Sequence, residues 1–314
     1  MRVLNVFLFL ILVLSCSNSK DPNSEATFVK VPLGDPFIML WEDTYYAYGT
    51  LSESGIAVFV SDDLQKWRVP ANVPQGLALH KADVWGDKWF WAPEVYEVDG
   101  LFYMYFSAEE HICVAVSDNP LGPFTQEDKA PMLEHIKGID NSLVWDGDKP
   151  YLLFNRFNDG NVIWIAELEM DLKTIKEETM VQCINVSQPW EEVWPRVNEG
   201  GFIIKHGDKF YMTYSANSYE SQDYGVGYAT ADHITGPWTK YAQNPVLQNP
   251  GNLVGVGHSA LFTDKEGNLR KVFHAHNSNE LIHPRHMYVT TVTFSEDGIM
   301  QIDPNFITPQ LVVD

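Results

Sequence analysis

The sequence predicts an all-β protein folded as a single five-bladed β-propeller, and three observations carry that prediction. One kind of segment recurs five times, with starts at residues 35, 92, 140, 199 and 258, separated by 57, 48, 59 and 59 residues. Each recurrence reads as a short apolar stretch, an acidic or glycine turn, then an aromatic-rich strand. The composition agrees: aromatic residues make up 13% of 314 residues, and 21 Gly and 18 Pro supply the turns between short strands. A long regular period of four-stranded units is the mark of propeller blades, and a β-sandwich would have no need of it.

The N-terminus comes first. Arg2 precedes an apolar run over residues 3–14, broken by Asn5, and the run ends in Val13-Leu14-Ser15-Cys16. The run is too short to span a bilayer and has the order of an export signal. Its ending looks like a bacterial lipobox, with Cys16 as the lipidated first residue after cleavage. Residues 1–15 are therefore expected to be a lipoprotein signal peptide and 16–27 a lipidated tether. Residues 28–314 are expected to form the propeller, in a protein exported to the periplasm or the outer cell surface. Two cysteines remain, Cys113 and Cys183, both in apolar strand-like segments. They are expected to be buried free thiols.

The repeats follow in order. The first runs from Asp35-Pro36-Phe37-Ile38 to Tyr45-Tyr46-Ala47-Tyr48, the second from Ala92-Pro93-Glu94-Val95 to Phe102-Tyr103-Met104-Tyr105. The third runs from Asp140-Asn141-Ser142-Leu143 to Tyr151-Leu152-Leu153-Phe154. The fourth links Glu199-Gly200-Gly201-Phe202 with Phe210-Tyr211-Met212-Thr213-Tyr214, and the fifth links His258-Ser259-Ala260-Leu261 with Lys271-Val272-Phe273-His274. Outer hairpins are expected at 56–67, 112–124 and 225–238. Residues 167–180 lack an apolar face at helical spacing and read as strand and loop.

A propeller's first strands surround its axis, so the starting residues Asp35, Ala92, Asp140, Glu199 and His258 should converge on the hub, with Trp91 beside them. Turn propensity accounts for one aspartate but not for Asp, Asp, Glu and His at matching places. Carboxylates that face each other raise one another's pKa, which costs stability and signals chemistry. The chain carries 42 acidic against 21 basic residues, a formal charge of -21. Such a surface repels phosphate backbones and anionic lipid, so nucleic acid is excluded as a partner and a neutral ligand is favoured. Removing residues 1–15 loses only Arg2 and makes the charge -22. Glycoside hydrolysis fits the residues: one carboxyl protonates the leaving oxygen while another acts on the opposite sugar face. Residues facing each other across a hub leave room for a water, hence inversion. Trp91 offers a platform for a sugar face, Trp190 and Trp194 flank the approach to Glu199, and Trp194 is expected to bind substrate with Trp91.

At these residues the chain resembles glycoside hydrolase family 43, five-bladed inverting enzymes acting on arabinose- and xylose-containing polysaccharides. The matching elements span residues 31–311: Gly34-Asp35-Pro36, the Ser-Asp-Asp-Leu-x-x-Trp hairpin at 61–67, Trp91-Ala92-Pro93-Glu94-Val95 and Ile139-Asp140-Asn141-Ser142. Asn198-Glu199-Gly200-Gly201, Gly255-Val256-Gly257-His258-Ser259 and Pro284-Arg285-His286-Met287-Tyr288 complete them. The resemblance implies Asp35 as general base, Asp140 as pKa modulator and Glu199 as general acid, with Arg285 on the sugar or a carboxylate. It implies that His258 holds a hub ion through water, with structural Ca2+ as the candidate and no cofactor required for the reaction. Gly201 and Asn141 stand where the family usually has proline, and Glu191 and Glu192 are further candidates for the acid.

The expected activity is exo-α-L-arabinofuranosidase, with β-xylosidase second. The end of the chain at Asp314, without a further β-sandwich, tilts the choice toward arabinose. Endo-arabinanase, endo-xylanase and a non-catalytic carbohydrate-binding propeller are the alternatives. The protein is expected to be monomeric, with a neutral carbohydrate as its partner and the membrane touched only through the lipid on Cys16.

Overall fold

A computed structural model describes residues 26–193 and 196–313. The predicted signal peptide, Cys16 and most of the tether lie outside the described residues, as does Trp194. Five sheets, antiparallel but for one outer pair in the first, follow one another along the chain. Blade 1 contains Gly34–Trp41, Thr44–Ser52, Gly55–Ser61 and Lys66–Arg68, and blade 2 contains Trp91–Val98, Leu101–Ala108 and His111–Ser117. Blade 3 is Gly138–Asp146, Lys149–Phe157, Asn161–Glu167 and Val181–Ile184. Blade 4 is Asn198–His206, Lys209–Ala216, Gly225–Ala231 and Thr239–Lys240, and blade 5 is Gly257–Thr263, Leu269–Ala275, His286–Phe294 and Met300–Ile307. The first strands pack 1 on 2, 2 on 3, 3 on 4, 4 on 5 and 5 on 1, so the ring is closed. The segment after Glu167 holds a bridge between Leu168 and Ile175, a short 3-10 turn, Glu177–Thr179, and the strand Val181–Ile184, with no α-helix, as its missing apolar periodicity predicts.

The blades are less uniform than the repeat suggests. Blade 2 has three strands, and its expected fourth is reduced to a single bridge between Val116 and Thr125. Blade 1 is extended instead. Leu77–His80 pairs with Gly55–Ala57, and Gln310–Val313 runs parallel to Lys66–Trp67 with Thr27–Lys30 outside it. The first and last described strands thus meet on the outer edge of blade 1.

Interlocking aromatic and aliphatic side chains fill the seams between blades, and Tyr48, Trp67, Phe90, Phe106, Phe154, Tyr214 and Tyr288 are fully buried. The hairpin 61–67 shows how sequence sets geometry. Asp63 Oδ1 accepts from the amides of Gln65 and Lys66, Ser61 Oγ accepts from that of Leu64, and Trp67 Nε1 donates to Leu64 O. That turn seats the indole in the core. Cys113 is buried, Cys183 is half-buried, and both are free thiols.

Every first strand carries a β-bulge near its start, between Gly34 and Phe37, Trp91 and Glu94, Ile139 and Ser142, Glu199 and Phe202, and Gly257 and Ala260. The residue opening each bulge has a left-handed backbone: Asp35, Ala92, Asp140, Gly200 and His258, with φ between 42° and 59°. This conformation suits Gly, is tolerated by Asp and His, and strains Ala. The residue paired with each pre-bulge position is Thr50, Ser107, Asn155, Ser215 or His274, and each reaches into the next blade. Four accept from a bulge amide: Thr50 from Ala92, Ser107 from Asp140, Ser215 from His258 and His274 from Asp35. Asn155 Nδ2 donates to Asn198 O at 2.7 Å. A ring of polar clasps therefore joins each blade to the next around the mouth of the hub.

Candidate active site

The bulges bring Asp35, Asp140, Glu199 and His258 together at that mouth. Each of the three carboxylates is 8% exposed, nearly withdrawn from water yet reachable. One sequence alignment needs correction. Glu199 does not share the position of Asp35, Asp140 and His258; Gly200 does, and Glu199 stands one residue earlier, where blade 2 has Trp91. The repeat period counted in sequence cannot see a one-residue offset inside a bulge.

The pre-bulge column explains two glycines. A Cβ on Gly34 would lie 2.4–2.5 Å from the Arg285 guanidinium, and one on Gly257 would lie 2.1 Å from the Tyr224 ring. The vacated space admits the two side chains that hold the carboxylates. Arg285 makes a bidentate pair with Asp35, Nη1 to Oδ1 at 2.5 Å and Nη2 to Oδ2 at 2.8 Å. Thr50 Oγ1 donates to Asp35 Oδ2 at 2.7 Å. Tyr224 donates to Glu199 Oε1 and Asn161 Nδ2 to Glu199 Oε2, both at 2.8 Å. The Tyr224 ring stacks on His274, whose Nδ1 accepts from Asp35 N at 3.1 Å. Tyr224, Asn161, Thr50 and His274 were not singled out as site residues in the sequence. Thr50 and His274 have a sequence signal in retrospect, since each closes the aromatic-rich second strand of its repeat.

These contacts drive the acids apart. Burial alone would raise the Asp35 pKa, but the permanent charge of Arg285 outweighs it and holds Asp35 well below the usual carboxylate range. His258 and His274 also lie beside Asp35, yet burial lowers both their pKa values and leaves them neutral near pH 7. Burial pushes Glu199 up to about 7, against the pull of the Tyr224 and Asn161 hydrogen bonds and with help from the Asp35 charge. Asp140 is raised well above its ordinary value by burial first, then by the charges of Glu199 and Asp35.

The remaining expected residues divide. Arg285 joins the site. Trp91 stands at the rim, its ring backed by Trp89 at 5.6 Å and 18°, with Lys88 Nζ 4.0 Å from the Trp89 ring. Trp190 does not flank Glu199 as a platform; it packs on Tyr214 and donates to Gln188 Oε1. Glu191 is fully buried and spent on Lys240, Tyr214 and the amides of Ser187 and Gln188, so its role is structural. His276 Nε2 donates to Tyr219 O at 2.7 Å, and His286 lies in the third strand of blade 5.

His258 Nδ1 faces Asp35 Oδ1 at 3.5 Å and Asp140 Oδ2 at 4.0 Å. Among the described residues no three His, Cys, Asp or Glu side chains gather to hold a metal ion. Direct side-chain donors among the described residues therefore do not make up the six- to eight-oxygen shell that calcium takes.

The chain is similar to known proteins along most of its length. The model of "Glycosyl hydrolases family 43" matches residues 27–300. A solved structure named endo-1,4-beta-xylanase from Bacteroides thetaiotaomicron is 45% identical, with a TM-score of 0.87 over 92% of this chain and all of that one. A thermostable family-43 glycoside hydrolase is 34% identical, with a TM-score of 0.79 over 89% of this chain and 95% of that one. An extracellular exo-alpha-(1->5)-L-arabinofuranosidase of Streptomyces avermitilis is 27% identical over 258 residues, 74% of this chain. This chain spans about half of that protein, 52% of its length. With the propeller, the converging carboxylates and the family match in hand, the chain belongs to glycoside hydrolase family 43 and is a glycosidase of the class that hydrolyses O-glycosyl bonds.

Proposed function

We propose that the protein hydrolyses arabinose- or xylose-containing glycans with inversion, using Asp35 as general base, Glu199 as general acid and Asp140 as the group that tunes the acid. The observation that carries this reading is the opposite electrostatic setting of the two carboxyls. Asp35, paired with Arg285, stays ionised, while Glu199, with a pKa of about 7, is roughly three-quarters protonated at pH 6.5. Glu199 gives its proton to the departing glycosidic oxygen. Asp35 takes one proton from a water as that water's oxygen bonds to the anomeric carbon on the opposite face. One carbon–oxygen bond breaks as another forms, the two protons balance, and the configuration inverts. A negative Asp140 would raise Glu199 further, and a neutral one would spare it, so the pair is suited to hold one proton between them.

For the sugar, α-L-arabinofuranosides are the first reading and β-xylosides the second. The relative from Streptomyces supports the first, and the 45% identical structure named as an endo-xylanase supports a xylan backbone. Export as a lipoprotein through Cys16 is part of the same proposal and rests on the sequence of residues 1–16.

Proton NMR of the purified protein with 4-nitrophenyl α-L-arabinofuranoside and β-D-xylopyranoside together tests the reading. Arabinose released first as the β-anomer supports both substrate and inversion; xylose released first as the α-anomer keeps inversion and changes the sugar. A retained anomer removes the mechanism. Silence on both, followed by oligosaccharides from xylan or arabinan, makes the enzyme endo-acting.

A further inference from the structure

We propose that Thr50 is a positioning residue for Asp35, and that it decides which oxygen of that carboxylate receives the proton from water. The inference rests on the reading of Asp35 as the base. Thr50 lies near the end of the second strand of blade 1, in the clasp between blades 1 and 2. Its hydroxyl oxygen accepts from Ala92 N at 3.0 Å and lies 2.7 Å from Asp35 Oδ2.

A hydroxyl has one proton to give and two lone pairs to receive with. Ala92 N–H occupies a lone pair, and a carboxylate held ionised by Arg285 can only accept. The Thr50 proton is thereby directed at Asp35 Oδ2. Each carboxylate oxygen offers about two acceptor sites. On Oδ2 both are filled, one by Arg285 Nη2 at 2.8 Å and one by Thr50. On Oδ1 Arg285 Nη1 fills one, at 2.5 Å, and no second hydrogen bond is made among the described residues. His258 Nδ1 of the adjacent blade is 3.5 Å away, and His274 Nδ1, which accepts from Asp35 N, is 3.4 Å away. Asp35 Oδ1 is therefore the atom that accepts the proton. Without the Thr50 bond the carboxylate keeps its Arg285 fork but gains a second open site on Oδ2, aimed into the blade seam rather than at the substrate. The same hydroxyl ties this alignment to the backbone of Trp91-Ala92, so the base and the rim tryptophan are set by one side chain.

Thr50→Val keeps the shape and removes the hydroxyl; Thr50→Ser keeps the hydroxyl. Both are measured beside Asp35→Asn for kcat, KM and thermal unfolding, on whichever glycoside the enzyme cleaves. Thr50→Val should lower kcat about tenfold or more with KM within about twofold, as expected when a charge-assisted hydrogen bond that aligns the base is lost. Thr50→Ser should return kcat to within about threefold of the native protein. A clasp with no role in alignment would lower the melting temperature and leave kcat within about twofold, and that result overturns the proposal. So does a rise in KM alone, or a Thr50→Ser variant as slow as Thr50→Val. Should Thr50→Val not fold, Thr50→Ala is judged by the same criteria. Full activity in Asp35→Asn would instead remove the base assignment, whatever Thr50 does.

Discussion

Trp91 and Glu199 occupy the same strand position in two different blades. Each pairs with a serine of the neighbouring strand, Ser107 or Ser215, and each precedes the left-handed residue of its bulge, Ala92 or Gly200. The backbone therefore presents an indole and a carboxyl to the hub mouth in equivalent ways. If Glu199 reaches the glycosidic oxygen, Trp91 is placed to lie against the sugar.

Trp91→Ala should raise KM about tenfold, the loss of one aromatic contact worth about 1.4 kcal/mol, while kcat falls less. Trp89 backs the Trp91 ring, so Trp89→Ala should show the same pattern more weakly. Steady-state kinetics on one oligosaccharide decides it; a fall in kcat with KM unchanged would place Trp91 outside substrate binding.

Gly34 permits the Asp35–Arg285 pair. Its backbone is not left-handed, so alanine there meets no conformational penalty, only the guanidinium 2.4 Å from the new Cβ. Gly34→Ala should fold normally and push Arg285 off Asp35. Activity should drop by about two orders of magnitude, as it should in Arg285→Ala. Combining the two changes should cost little more than either, because both remove the same fork. Additive losses in that double-mutant cycle would show that the glycine acts elsewhere.

The sequence makes the fold legible because propeller blades repeat: aromatic second strands and turn residues recur every 48 to 59 residues, and each recurrence is one blade. It also identifies Asp35, Asp140, Glu199, His258 and Arg285, which sit in motifs dense with Gly and Pro. What it conceals is register. The offset between Glu199 and Gly200 exists only in the pairing of strands, and a carboxylate one position out looks the same in a string of letters. Tyr224 and Asn161 are hidden for another reason. Tyr224 comes from the loop before the third strand of Glu199's own blade, and Asn161 from the start of the third strand of the preceding blade. Only strand pairing and the packing of blade 3 on blade 4 bring them to Glu199. Glu191 shows the reverse error: an acidic residue near Trp190 reads as a catalytic candidate until Lys240 is found against it.

Tyr224 opposes the burial that raises the pKa of Glu199. Burial raises the Glu199 pKa to about 7, and the Tyr224 and Asn161 hydrogen bonds, made to the charged form, hold it down. Activity should fall as pH rises through about 7, where the acid loses its proton. Tyr224→Phe removes one of the two donors, so the Glu199 pKa must rise. The alkaline limb of kcat/KM should move upward by up to about one pH unit, even as the maximum rate decreases. A limb that stays fixed, or moves down, would assign it to a group other than Glu199.

Lys271 is a lysine in a column of core residues. The equivalent positions in the other blades are Ala47, Met104, Leu152 and Met212, each paired with the first strand as Lys271 is with Leu261. Its side chain is fully buried, with hydrogen bonds to Ser259 Oγ at 2.8 Å and Thr213 Oγ1 at 3.2 Å, and burial brings its pKa from 10.5 down to about 7. The unfolded chain holds that proton more tightly. Between pH 7 and 10.5 the unfolded state therefore binds more protons, and the contribution of this group to stability improves as pH rises; below pH 7 the whole penalty is present. Lys271→Met restores the residue that blades 2 and 4 carry and removes the penalty. Two hydroxyl oxygens lose a donor, but an under-filled lone pair costs less than a charge taken out of water. The variant should melt several degrees above the native protein at pH 6 to 7, and its advantage should shrink steadily toward pH 10. Thermal unfolding of both proteins across that range measures the difference, and an advantage that is absent at pH 6 or grows with pH would mean that Lys271 is not destabilised by its burial.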